Sequence, residues 1–228
     1  RDVRSSIVTG QMNLFGGDES QSVPMNHIPL LPEYDQAHLL QLEHDSMGLY
    51  LSGHPLEQTT WLRQLCHAQD AAALRERKDG ERVLLIVIVQ DIKQHTTKQG
   101  DTMCFLTCED QSGTADCVVF PSLYPAVRQH LQKETILFLR GRLSQKEDAV
   151  SVLCDSLLTE EEFLRTLHHG KLCIKADSQQ TEELRQLMSL LRQFPGAVPV
   201  CFYLTDRKKM LCPRNGQRIT VSREMYDT

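Results

Sequence analysis

Val83-Leu84-Leu85-Ile86-Val87-Ile88-Val89 is an unbroken apolar run dense in β-branched residues, and its length is that of a strand. The chain beyond it is divided into short units of the same kind. Lys98-Gln99-Gly100-Asp101 is a turn, and residues 102–108 form a second strand. Glu109-Asp110-Gln111-Ser112-Gly113-Thr114 turns again, into a third strand over 115–120. Residues 121–131 read as helix, with Tyr124, Val127 and Leu131 three and four apart. Residues 136–139, the pair Gly141-Arg142 and residues 150–153 supply the last two strands. Three strands, a helix and two strands is the order of the five-stranded OB barrel, a strand count that other small barrels share.

Upstream of this block the pattern is helical. Leu39, Leu42 and Leu49 recur on one face of a helix over 34–52, which Gly53-His54-Pro55 stops. A second helix covers 56–66, with Trp61, Leu62 and Leu65. An Ala-rich, charged stretch over 70–80 leads to the first strand. Residues 1–33 are polar and rich in Gly, Ser and Pro, as a linker is, with one apolar island at Gln11-Met12-Asn13-Leu14-Phe15. Downstream, residues 160–169 are an acidic helical connector. A strand over 171–175 comes next, then a helix marked by Leu184, Leu187, Met188 and Leu191, with Glu182 and Glu183 suiting its N-terminal dipole. Pro195-Gly196 ends that helix, residues 198–204 and 219–221 are strands, and Leu211 belongs to a further short one. The fold class is therefore α+β in three parts: a linker and helical part over 1–80, the OB barrel over 81–163 and a small α/β unit over 164–228.

Composition bounds the function. The 228 residues have a net charge of −5, so the chain as a whole is not marked for nucleic acid and any such contact must come from a local patch. Apolar runs stop far short of the roughly 18 residues a membrane span needs. The start lacks both a signal-peptide layout and an initiator Met, which suits a cytoplasmic piece of a longer protein. None of the eight cysteines forms a CxxC pair, and they read as small buried hydrophobes of a reducing compartment. Cys104 and Cys108 lie on a strand with no His nearby, so no metal site is expected there. Asp110 and Asp116 read as turn chemistry, His54 as a capping residue and His168-His169 as surface. Arg207-Lys208-Lys209, with Arg214 and Arg218, reads as a solvated turn that could also touch phosphate.

Three segments together resemble the C-terminal region of the alpha subunit of bacterial DNA polymerase III, the C-family replicative polymerase. Gln11-Met12-Asn13-Leu14-Phe15 resembles its internal clamp-binding motif. Leu49-Tyr50-Leu51-Ser52-Gly53-His54-Pro55-Leu56 is similar to a signature lying between that motif and the OB domain. Phe105-Leu106-Thr107, Glu109-Asp110, Gly113, Val118-Val119-Phe120 and Gly141-Arg142 match the OB domain itself. The part from Lys171 on, with Phe194-Pro195-Gly196 and Pro199-Val200, looks more like the shorter Gram-positive type. The resemblance implies a role in replication. Gln11, Met12, Leu14 and Phe15 would bind the beta sliding clamp, the barrel would hold single-stranded template, and residues 164–228 would dock other replisome subunits. It also implies that the acidic residues binding Mg²⁺ for nucleotidyl transfer lie upstream, so this region carries neither catalytic residues nor a cofactor.

OB barrels hold single strands by aromatic stacking and a basic groove. The residues of that kind are Phe105, Phe120, Lys93, His95, Lys98, Arg140 and Arg142. If Cys104, Leu106 and Cys108 face the core, alternation puts Phe105 outside. Between Glu81 and Leu158 there are eight Lys/Arg against ten Asp/Glu, so binding should be weak and salt-sensitive. Two other functions fit part of the chain: a free-standing OB protein for single strands or tRNA, and a scaffold whose barrel binds protein.

Overall fold

The computed structural model describes residues 33–48, 50–146, 149–212 and 216–228. Five strands close a barrel: β1 (Arg82–Thr96), β2 (Thr102–Asp110), β3 (Gly113–Val119), β4 (Ile136–Lys146) and β5 (Ala149–Leu158). Their order around it is β1-β2-β3-β5-β4, with β3 and β5 parallel and every other pair antiparallel. This is the OB topology. The helix expected over 121–131 is two single turns, α3 (Tyr124–Val127) and a 3₁₀ turn (Arg128–His130).

The apolar run in β1 does not alternate because both of its faces are covered. Val83, Leu85, Val87 and Val89 point into the barrel, with Leu106, Cys117, Leu139 and Val152. Ile86 and Ile88 point out, into a second cluster with Leu56, Trp61, Leu62, Phe138 and Phe163. That outer cover comes from both flanks. A 3₁₀ turn (Pro55–Thr59) and α2 (Thr60–Leu65) bring Leu56, Trp61 and Leu62. Helix α4 (Glu160–Leu167) brings Phe163, its ring stacked on Phe138 with centroids 4.5 Å apart. Strand β1 serves both neighbours in turn, Arg82–Ile88 pairing with β4 and Ile88–Thr96 with β2, with a bulge between Val89 and Asp91.

Helix α1 (Gln36–Met47) is shorter than the expected 34–52, and its buried residue is Leu40. Leu39 and Leu42 are 44% exposed. Leucines at 39, 40 and 42 spread over more than one helical stripe, so the pattern alone admits two inward faces. The segment after α1 is tied down by hydrogen bonds. Glu43 accepts from the Leu51 amide at 3.0 Å and from the Ser52 amide at 2.9 Å. Tyr50 donates its hydroxyl to Glu134 at 2.8 Å, and burial with that carboxylate pushes its ionisation far above the ordinary range. His54 caps the 3₁₀ turn: Nδ1 accepts from the Leu56 amide, and Glu57 accepts from the His54 amide, both at 3.1 Å.

Asp110 does more than the turn chemistry expected of it. Its Oδ1 does close the β2–β3 turn, accepting from the Ser112 amide at 2.7 Å, the Ser112 hydroxyl at 2.6 Å and the Gly113 amide at 3.1 Å. Its Oδ2 reaches outside the barrel, to the Arg63 guanidinium at 2.9 Å and the Ala71 amide at 3.0 Å. Arg63 also pairs with Asp70. One buried carboxylate thus fastens the segment after α2 to the barrel. Gly141 marks a second tight place, the bulge where β4 meets β5. A Cβ there would strike the Leu153 carbonyl oxygen and come within 2.7 Å of Val152 Cγ1.

Beyond α4 lies a second sheet of β6 (Leu172–Ala176), β7 (Pro195–Leu204) and β8 (Lys209–Leu211), in that order, with β9 (Arg218–Ile219) pairing β7. Helix α5 (Thr181–Leu191) covers one face over Val198, Val200 and Ile219, and α6 (Arg223–Asp227) closes the chain. The cysteines divide more finely than expected. Cys104, Cys108, Cys117 and Cys154 are buried in the barrel, and hydrogen bonding with Cys108 and Cys154, together with burial, pushes the Cys117 thiol well above its ordinary value. Cys201 and Cys212 are disulfide-bonded, which β7–β8 pairing puts opposite one another, and Cys173 is exposed. Spacing in sequence could not show that the two thiols meet.

Asp110→Asn should lower stability by about 3 kcal/mol at pH 7, the low end for breaking a buried pair, because Arg63 keeps Asp70. Burial raises the carboxyl, but the Ser112 hydroxyl, the Ala71 and Ser112 amides and Arg63 outweigh it and hold the pKa below its ordinary value. A depressed carboxyl stabilises above its unfolded pKa, and that contribution is lost as pH falls through the folded one. Urea unfolding should therefore show wild type and variant converging below about pH 4. An equal gap at pH 7 and pH 3 would contradict the assignment.

Candidate nucleic-acid interface

The barrel has one clothed side and one bare side. Helices α2 and α4 cover β1 and β4 where Ile86, Ile88 and Phe138 point outward. Among the described residues, the outer face of β2 and β3, with the far half of β1, carries no such cover. On β2, Cys104, Leu106 and Cys108 are buried and Phe105 stands 45% exposed between them. The pairing registers set Lys93 of β1 beside Phe105, and Phe105 beside Val118 of β3. The His95 ring meets Phe105 edge-on, with centroids 6.5 Å apart. Phe120, just past β3, is 41% exposed. Lys98 sits in the β1–β2 turn, where Gly100 takes φ +88° and the Thr97 amide donates to Asp101.

Lys93, His95, Lys98, Phe105 and Phe120 therefore belong to one sector. Arg140 and Arg142 do not join it. They lie on β4 opposite Leu84 and Arg82, at the other end of β1. Arg142 is paired to Asp155 at 3.2 Å, and the Arg140 guanidinium lies 5.2 Å from the centre of the Phe163 ring. The bare sector is also divided electrically. One rung from Phe105, Asp91 stands opposite Thr107, and Thr107 opposite Asp116. Lys133 at 3.1 Å holds the Asp91 carboxyl below its ordinary range. Asp116 accepts from the Thr107 hydroxyl at 3.4 Å. The end near the β1–β2 turn is thus basic and aromatic, and the end near the β2–β3 turn is acidic. An anionic strand would be drawn to the first and repelled from the second.

Lys146, at the end of β4, and Arg82 escaped the sequence reading. Alternation from buried Val83 puts Arg82 outside, but only the register brings it beside Arg142. The residues Gln11, Met12, Leu14 and Phe15 lie outside the described residues, as do Leu49 and Arg214. Of the other basic residues near the chain's end, Arg207 lies 3.5 Å from Asp206, and Lys208 takes φ +49° in the β7–β8 turn.

Comparison with known proteins agrees with this architecture. Residues 83–159 match the family of OB-fold nucleic acid binding domains. Along most of its length the chain is similar to bacterial proteins described as DNA polymerase III subunit alpha. One from Treponema pallidum is 29% identical over 162 residues, covering 70% of this chain and 14% of the relative. One from Bacillus subtilis is 29% identical over 209 residues, covering 88% and 18%. One from Saccharopolyspora erythraea is 25% identical over 233 residues, covering 95% and 19%. The chain thus spans under a fifth of the length of the curated relatives it matches.

Phe105→Ala should leave thermal stability within about 0.5 kcal/mol of wild type, as a surface substitution does. Leu106→Ala, one residue on and buried, should cost about 2–5 kcal/mol. Thermal unfolding of the pair checks the alternation, and a large loss in Phe105→Ala would mean that the ring is core.

Proposed function

We propose that the chain, a relative of the C-terminal region of the bacterial DNA polymerase III alpha subunit, serves DNA replication as an accessory part that holds single-stranded template on its barrel. The observation that carries this is the exposed Phe105, flanked by Lys93 and His95 on a barrel face that none of the described helices covers. A base can stack on the ring whatever its identity, while Lys93 and Lys98 meet phosphates. Binding of this kind is indifferent to sequence and weak, in keeping with Asp91 and Asp116 close by. Nucleotidyl transfer and its Mg²⁺ belong, on this reading, to parts of the longer protein upstream. The place of action is the cytoplasm.

The clamp-binding role of Gln11, Met12, Leu14 and Phe15 is part of the same proposal. An apolar pair in a polar linker can fill a groove on a ring-shaped clamp, with Gln11 hydrogen-bonding at its edge. The affinity of so short an anchor is modest, on the order of micromolar. That is enough where DNA and other replisome proteins hold the same assembly. Residues 164–228 would supply one such further contact.

Anisotropy with oligothymidylate at about 50 and 200 mM salt tests the barrel reading. Contacts from Lys93 and Lys98 should give a log–log salt slope of about −1.4, at about −0.7 per contact. Phe105→Ala should weaken binding by about 1–3 kcal/mol. Absence of binding at the lower salt would leave the barrel as a protein-binding scaffold. For the clamp, calorimetry against the cognate ring should show loss of measurable binding in Leu14→Ala with Phe15→Ala, since each buried anchor contributes about 1.5–3 kcal/mol. Unchanged affinity would remove the motif from the proposal.

A further inference from the structure

A cleft of about 610 Å³ opens between the clothed side of the barrel and the C-terminal sheet. Leu84 and Arg140, cross-strand partners on β1 and β4, line it from the barrel. From the sheet, Lys175, Tyr203 and Met210 form a single rung across β6, β7 and β8. Lys171 lines it from just before β6. The remaining lining is mostly apolar, and among the described residues no Asp or Glu borders it. The chain holds 30 acidic residues against 25 basic ones, so a cavity with three Lys/Arg and no carboxylate runs against the composition around it. Among the described residues none of the three cations stands in an ion pair with a carboxylate. Arg140 is held from behind by Phe163, a fully buried ring itself stacked on Phe138. The guanidinium is thereby positioned while its N–H groups stay available, which lowers the entropy lost on binding.

We infer that this cleft binds a nucleotide, a 5′-phosphorylated nucleoside either free or at the end of a strand. The phosphates meet Arg140, Lys171 and Lys175, and the base lies against Tyr203, Met210 and Leu84. The volume is that of small-ligand sites, which pair an apolar lining with a few convergent polar groups. A flat ring is favoured over an acyl chain because Tyr203 offers its ring between a cation and a thioether, surfaces that aromatic ligands pack against well. Guanidinium and ammonium groups with no carboxylate competitor can bond phosphate oxygens directly. The inference stands apart from the barrel-face reading, since Phe105 lies in the other sector.

Calorimetry on the full chain at low salt tests it, with dATP and with a 5′-phosphorylated oligothymidylate as separate probes. Micromolar binding of dATP is expected, with deoxyadenosine and tripolyphosphate each at least ten-fold weaker, on the order of one lost class of contact. Arg140→Ala with Lys175→Ala should weaken dATP by about a hundred-fold, roughly ten-fold for each charged hydrogen-bonding partner removed. Lys171→Glu with Lys175→Glu, both exposed, gives the same test if the first variant fails to fold. Phe105→Ala should leave dATP binding unchanged while it weakens the oligonucleotide, so the two sites fail independently. Binding of the phosphorylated oligonucleotide alone, lost in the lysine variant, would support the inference with a strand end as occupant. No binding of either probe overturns it, as does tripolyphosphate matching dATP or an acidic aromatic peptide displacing it.

Discussion

The first half of strand β1, residues 83–89, is buried on both faces, and the rest of the molecule is arranged to make that possible. Its inward side chains, Val83, Leu85, Val87 and Val89, need a closed barrel around them. Its outward ones, Ile86 and Ile88, need a second layer, and one barrel cannot provide it. The chain before the barrel and the chain after it both fold back over the same strand pair. Trp61 and Leu62 come from one side and Phe163 from the other, each large apolar side chain contributing about 1.5–3 kcal/mol when buried. Asp110 fixes the first of these covers from the far end of β2, through Arg63 and Ala71.

Covering one side decides which side remains. With helices on β1 and β4, the outer face of β2 and β3 is left with Phe105, Phe120, Lys93 and His95 facing solvent. An exposed ring among cations has no packing reason, since burying it would stabilise the fold. It fits a surface kept for a planar, anionic partner. The same cover creates the cleft on the opposite flank, because the C-terminal sheet comes directly after α4 and faces the barrel across Leu84 and Arg140. Arg140 thus sits by a different cavity from the one its position in a generic barrel suggests, held by the ring that completes the cover.

Much of this was legible in the chain. The strand order, the turns at 98–101 and 109–114 and the outward placement of Phe105 rest on local signals: β-branched density, Gly and Asp at turns, and alternation of period two. These signals act within a few residues, so they survive being read without a partner. The helix over 34–52 was less legible because leucines at 39, 40 and 42 do not single out one stripe. The Tyr50–Pro55 signature could be seen as a resemblance and His54 as a cap, but the bond from Tyr50 to Glu134 joins two segments far apart in sequence.

By itself the sequence determined the strands and their order, an order that suits an OB barrel, and it put Phe105 outside if Cys104, Leu106 and Cys108 faced the core, because each depends on spacing along the chain. Only the tertiary structure decided what those elements meet. It set Arg140 and Arg142 apart from Phe105, gave Asp110 a second set of partners beyond its own turn, and brought Cys201 opposite Cys212. It also formed a cleft from Arg140, Lys171, Lys175 and Tyr203. These rest on strand register and on how the segments before and after the barrel pack against it, and a pattern of period two cannot say which neighbour a side chain will find across the gap.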